Sequence, residues 1–226
     1  MSRRQHVGPN VIVMSSAGKP IFSRFGHEED LSSACSLVQA IRASIHQLDG
    51  SHQGGGDIHS LEADDLKMVF LTIGSLTLVA ISDEITEGEC CDTEAYLRLQ
   101  LEYVYGQIIF TLTDTIQSVF HRKHNFDMRE MLGATDVVIR GLLDRAGPSG
   151  NGGSFLCAGV ETVWPLPFDL RDHASMVLSS VCGEHSSTCL FAILLVGNSL
   201  LSIVMPKYRP HQLNASDINL ILNFCT

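Results

Sequence analysis

The side chains with metal or redox chemistry closest to one another are Cys182, His185 and Cys189, followed by the adjacent pair Cys90-Cys91. A structural zinc takes four ligands, and no second pair accompanies the first group, which joins a helical stretch to an apolar one; buried thiols beside a loop histidine are the simpler reading. Cys90 and Cys91 sit too close along the chain to share a zinc in ordinary geometry, and beside an acidic loop they read as an inert or mildly redox-sensitive site. His121 and His124 flank Arg122-Lys123 at what reads as a solvated helix end. Asn214-Ala215-Ser216 matches a glycosylation acceptor, but a helix cap is the simpler reading. No G-x-S-x-G elbow, H-E-x-x-H, P-loop lysine or post-strand G-x-G-x-x-G motif occurs. The glycine clusters at Gly54 and Gly150 lead into no Lys-Ser/Thr helix, so they read as linkers rather than phosphate cradles. The sequence therefore predicts no catalytic residue, no metal and no cofactor.

Composition narrows the alternatives. At 226 residues the chain holds one or two domains with a sizeable core. Fifteen Lys+Arg against 25 Asp+Glu give a net charge of −10, which repels phosphate backbones and argues against nucleic-acid binding and against membrane contact through bulk charge. Only 18% of residues are charged, short of the roughly 25% usual in soluble domains, so a partner is expected to cover some surface. Seven scattered cysteines, an odd number, and no apolar run after Met1-Ser2-Arg3-Arg4 predict a cytosolic chain with reduced thiols. The apolar run from Cys189 to Met205 is interrupted by Gly197-Asn198-Ser199 and reads as a β-hairpin rather than a membrane helix.

The elements that would position any site follow from periodicity. Residues 10–15 and 21–24 flank the turn Ala17-Gly18-Lys19-Pro20 as a hairpin. Leu31, Ala34, Cys35, Val38, Ile41, Ile45 and Leu48 recur at helical spacing behind the acidic start Glu28-Glu29-Asp30. After a glycine-rich excursion at 49–57 come a weak strand at 58–63 and two strong ones at 67–73 and 76–82, joined by Gly74-Ser75. A second helix is expected over 93–120, breaking near Thr113-Asp114, and a third over 128–145 with Asp127 as its cap. Residues 147–153 read as a linker. Beyond it 155–164 is expected to be extended, 168–182 helical, 190–196 and 200–204 a hairpin, and 217–224 a helix capped by Ser216 or Asn214.

This order predicts an α+β fold: a five-stranded antiparallel sheet with helices on one face, then a second, incomplete unit. Both strong strands are apolar on both sides, so with all three helices on one face the other face, or the edge beside it, is expected to meet another protein.

The element order is that of a longin domain. The segments VIVMSSAGKPIFSRFG, LRLQLEYVYGQIIFTLT and NFDMREMLGATDVVIRGLLD resemble the first longin domain of the vacuolar fusion proteins of the Mon family, also called SAND. LPFDLRDHASMVLSSV and LLVGNSLLSIVMPKYRPHQLNASDINLILNF resemble the start of that family's second longin domain. The resemblance implies a first longin domain at 10–146, a linker at 147–153 and the start of a second longin domain at 154–226. It also marks this chain as a truncated or alternatively spliced form, because family members carry an acidic N-terminal extension, a complete second longin domain and a third.

The resemblance further implies that the chain, with a Ccz-type longin partner, forms a guanine-nucleotide exchange factor for the Rab GTPase of late endosomes and vacuoles. Its setting would be cytoplasmic and peripheral on late endosome, vacuole or lysosome membranes, in endosome maturation, vacuole fusion and autophagy. A non-catalytic longin adaptor or SNARE-regulating subunit is the alternative, and a hydrolase or metal enzyme would need a converging set of titratable groups that the sequence lacks. On this reading the candidate contacts with GTPase or partner are Lys19, Ser23 and Arg24 on the first hairpin, which have no obvious core role, and Gln39, Arg42 and His46 on the outer side of the first helix. A small cationic cluster on an acidic chain would orient docking beside the acidic, magnesium-bound phosphate site of a GTPase.

Overall fold

A computed structural model of the chain describes residues 8–26, 28–48, 58–63, 66–83, 93–112, 132–133, 135–146, 163–184, 188–197, 199–205 and 213–225, with the side chains of 28–30, 45–48 and 83 outside the description. The chain divides into two compact units, Met1–Asn151 and Gly152–Thr226.

In the first unit the order is β1 (Asn10–Ser15), β2 (Pro20–Ser23), α1 (Glu28–Leu48), β3 (Ser60–Ala63), β4 (Leu66–Ile73), β5 (Leu76–Asp83), α2 (Glu94–Leu112) and α3 (Asp136–Ala146). The strands form one antiparallel sheet in the order β2-β1-β5-β4-β3. Gly74, at a φ of 58°, supplies the left-handed residue of the tight β4–β5 turn. The β1–β2 register shifts between Val13 and Met14, a bulge next to the hairpin's turn.

Register sorts the core into two layers. Ile12 faces Val79, which faces Phe70, and Ile81 faces Met68; with Met14 these side chains pack against Leu31, Cys35 and Val38 of α1. One residue along, Val11 faces Ala80, which faces Val69, and Val13 faces Leu78, which faces Leu71; all six are buried. That second face is covered by α2, which lies across β4 and β5 and buries Leu97, Leu101, Val104 and Ile108, while α3 packs on α2 through Ile139, Leu142 and Leu143.

The expectation of three helices on one face is thereby corrected. The strands are apolar on both sides because, among the described residues, α1 packs on one sheet face and α2 on the other, so both faces hold the chain's own helices. Each fully buried aliphatic or Phe side chain in these layers contributes about 1.5–3 kcal/mol relative to exposure.

Two helix starts are defined by their caps. Thr93 precedes α2, with its Oγ1 accepting from Tyr96 N at 3.3 Å and its carbonyl from Leu97 N at 2.9 Å. The helix expected over 128–145 is also corrected: Gly133 sits in a turn, and α3 begins at Asp136 after Thr135, whose carbonyl accepts from Ile139 N at 2.9 Å. Asp127 and residues 128–131, like the loop at 49–57, the far end of the second expected helix and the linker at 147–153, lie outside the described residues.

The second unit contains α4 (Phe168–Glu184), β6 (Ala192–Val196), β7 (Ser199–Val204) and α5 (Ala215–Cys225). Of the stretch expected to be extended over 155–164, only its end is described: Val163 makes a parallel bridge to Leu200, and Trp164 N donates to Leu200 O at 2.8 Å. Arg171 of α4 donates to Leu201 O at 3.3 Å and to Trp164 O, and Ser175 meets Ser202 at 2.7 Å, which fixes α4 on β7. The apolar run 189–205 is thus a hairpin, and among the described residues no helix is long and apolar enough to cross a membrane. Asn214 rather than Ser216 is the cap of α5: its carbonyl accepts from Asp217 N and Ile218 N, and its own N donates to Asp217 Oδ2 at 2.8 Å.

Candidate interaction site

The residues singled out on the first hairpin and α1 separate into an outer group and an inner one. The outer group forms where the β1–β2 turn leans on α1. Ser15 Oγ accepts from Lys19 N at 3.2 Å, and Ser15 O accepts from Gly18 N at 2.8 Å, so the turn is closed by its own first residue. Gly18 has a φ of 78°, and its Cα passes so close to α1 that a Cβ there would sit 2.9 Å from Gln39 Cγ. Gln39 is half-buried, with Nε2 donating to Ser16 O at 3.4 Å and lying 3.9 Å from Met14 Sδ.

One turn further along α1, Arg42 Nη1 donates to Thr77 Oγ1 of β5 at 2.8 Å. Ser16 N donates to Ser75 O, so both sheet turns meet at this end of the unit. Lys19 is exposed at its rim, and the His46 side chain lies outside the described residues.

The inner group is Ser23 and Arg24, and here the expectation that neither has a core role is corrected. Ser23 Oγ donates to Phe25 O at 2.6 Å, and Asn10 Oδ1 accepts from Phe25 N at 3.1 Å, so Asn10 and Ser23 together turn the chain off the end of β2. Arg24 is only 6% exposed; it donates to Pro9 O and to Asp144 Oδ1, both at 3.1 Å, and lies 4.8 Å from the Phe25 ring centre. The physical reason is that past Arg24, whose N still donates to Val11 O at 2.9 Å, side chains rather than a ladder partner satisfy the described backbone groups of the strand end.

Arg140 of α3, which the sequence reading did not single out, completes this arrangement. It donates to Ser23 O at 2.8 Å and to Arg24 O, pairs with Asp136 at 2.9 Å, and stacks over Phe22 at 5.3 Å. Its sequence signal was the i,i+4 run Asp136, Arg140, Asp144 on one helix. Beside it a cavity of about 250 Å³ opens along β2, lined by Pro20, Phe22, Leu31, Leu132, Asp136 and Arg140 among others. Burial lowers the pKa of the Arg145 guanidinium from its ordinary value.

Chemically, the outer group can present a cation, amide donors and backbone carbonyls to another protein, and the inner group holds the hairpin to α3. Among the described residues no cluster of three His, Cys, Asp or Glu side chains is arranged for a metal ion. Cys182 and Cys189 do come together, with Sγ atoms 3.3 Å apart; His185, Cys90, Cys91, His121 and His124 lie outside the described residues.

A five-stranded antiparallel sheet in this order, with one helix on one face and two on the other, is a longin domain, and residues 9–142 match the family described as the first longin domain of FUZ, MON1 and HPS1. The chain belongs to that family. Along nearly its whole length it is similar to the vacuolar fusion protein MON1 homolog of Arabidopsis thaliana (34% identical, 94% of this chain and 32% of the relative). It is likewise similar to Protein SAND of Takifugu rubripes (32% identical, 98% and 38%) and to the vacuolar fusion protein MON1 homolog B of Homo sapiens (31% identical, 99% and 37%). The chain therefore spans about a third of the length of these relatives.

Proposed function

We propose that this chain is a longin subunit of a guanine-nucleotide exchange factor, working with a Ccz-type partner on the Rab GTPase of late endosomes and vacuoles, in membrane fusion at the vacuole or lysosome and in autophagy. The observation that carries the reading is the family match over 9–142 together with whole-chain similarity to proteins named for vacuolar fusion. The geometry supports it in a second way. With both sheet faces closed by the chain's own helices, a partner reaches this unit at its strand edges and at the turn end where Lys19, Gln39 and Arg42 gather. Exchange requires only that a bound surface favour the nucleotide-free arrangement of the GTPase switch regions, so side chains that position and orient suffice.

The test is the release rate of a fluorescent guanine nucleotide from that Rab. The chain alone is expected to release it slowly and the chain with its partner quickly. Lys19→Glu with Arg42→Glu in the assembled complex is expected to slow release by roughly tenfold. Unchanged kinetics in the assembled variant would move the GTPase contact to the β2 edge or to the partner subunit. Fold-level kinship with FUZ and HPS1 keeps a longin adaptor as the second reading. Release at the intrinsic rate by a complex that still binds the GTPase would favour it.

A further inference from the structure

We propose that Cys182 and Cys189 are a reversible redox site, a dithiol that closes to a disulfide on exposure to a peroxide and so ties the end of α4 to the start of the β6–β7 hairpin. The two thiols come from different elements. Cys182 is in the last turn of α4 and is buried; Cys189 is half-buried and lies just before β6. Their sulfurs are 3.3 Å apart, and Cys189 Sγ is 3.4 Å from Phe191 O. With that carbonyl accepting the Cys189 proton, Cys182 donates to the Cys189 sulfur, which leaves one order for the two bonds. The same bond and burial raise the Cys182 pKa.

Closing the pair brings sulfurs that are already 3.3 Å apart to the roughly 2.05 Å of a disulfide bond. The more exposed Cys189 meets the oxidant first. Its thiolate attacks the peroxide O–O bond, takes one oxygen as sulfenic acid and releases hydroxide. Cys182 sulfur then attacks Cys189 sulfur and expels that oxygen, which leaves as water with the Cys182 proton. Two thiols lose two electrons, hydrogen peroxide gains them, and two waters result. The link would anchor a helix whose outer side carries exposed Phe168, Met176, Val177 and Val181, so oxidation would act on whatever that surface meets by fixing α4 on its hairpin.

The experiment uses the full chain treated with graded hydrogen peroxide, then blocked with a maleimide, digested without reductant and mapped by mass. The expected result is a peptide pair joined through Cys182 and Cys189 and lighter by two hydrogens. It should form at the lowest effective dose, at least roughly tenfold faster than oxidation of Cys225, and dithiothreitol should reverse it. Cys182→Ser and Cys189→Ser should each abolish the link, whereas Cys225→Ser should leave it. Mapping the unaltered chain keeps the test independent of how those variants fold. Recovery of both residues separately blocked while other cysteines oxidise would overturn the proposal. So would Cys189 driven to sulfinic acid without a link, or a link that forms only in denaturant.

Discussion

Arg24 shows how far one buried cation can be separated from the ion pair it makes. Its partner Asp144 is 71% exposed, so the Coulombic attraction is screened by water, and Asp144→Asn is expected to cost under about 1 kcal/mol. The guanidinium itself is enclosed and also holds Pro9 O, so Arg24→Met should cost about 2 kcal/mol and Arg24→Glu should prevent folding of the unit. Urea unfolding of the three variants checks this ordering; equal losses for Asp144→Asn and Arg24→Met would contradict it. Cys35 makes a second residue-scale case. It is wholly enclosed between α1 and the sheet, and burial raises its pKa above the ordinary thiol value of 9.0. The folded state therefore holds the proton more tightly than the unfolded one. This stabilisation is complete below pH 9 and is lost as pH rises through the folded pKa. Urea midpoints for the unaltered chain should fall as pH rises above about 9, and more steeply than for Cys35→Ala; equal slopes would place the alkaline loss elsewhere.

The β1–β2 turn and α1 are coupled through Gly18, which meets two requirements at once. A side chain there would pay for a left-handed backbone and also meet Gln39, so Gly18→Ala is expected to cost about 1–2 kcal/mol, most of it backbone strain, since Gln39 is a flexible neighbour. If so, adding Gln39→Ala should recover only a small part of the loss; full recovery in the double variant would make the steric contact the main term. At this scale the sequence was informative wherever one periodicity held: α1, the β4–β5 hairpin with Gly74, and the 189–205 hairpin all stand where alternation or helical spacing put them. It could not say which face each helix would cover, because strands buried on both sides carry no alternation to distinguish them. Nor could it foresee the start of α3, where a single turn at Gly133 interrupts a run whose apolar residues keep helical spacing. Among the candidate site residues, Lys19, Gln39 and Arg42 do gather. The burial of Ser23 and Arg24 was not legible, because an arginine's burial depends on carbonyls and an aspartate that are remote in sequence.

For the whole molecule, division into Met1–Asn151 and Gly152–Thr226 suggests that residues 10–146 fold as an autonomous longin unit. The second unit has a two-stranded sheet and exposes Phe168, Met176 and Val177, so residues 154–226 should be the less stable part when isolated. Limited proteolysis is expected to cut within 49–57 or 147–153 before any cut within 67–82, and an early cut in the β4–β5 hairpin would contradict this organisation. The strand order also bears on how the chain is made. β1 lies between β2 and β5, with Asn10 opposite Ile81, so the ribosome supplies one neighbour of β1 at once and the other only after α1, β3 and β4 have been synthesised. Throughout that interval Val11 to Met14 form an apolar edge on a nascent chain, open to pairing with any strand nearby. Translation that stalls before residue 76 would leave that edge permanently unpaired. Such fragments are the ones a cell's chaperones would have to hold.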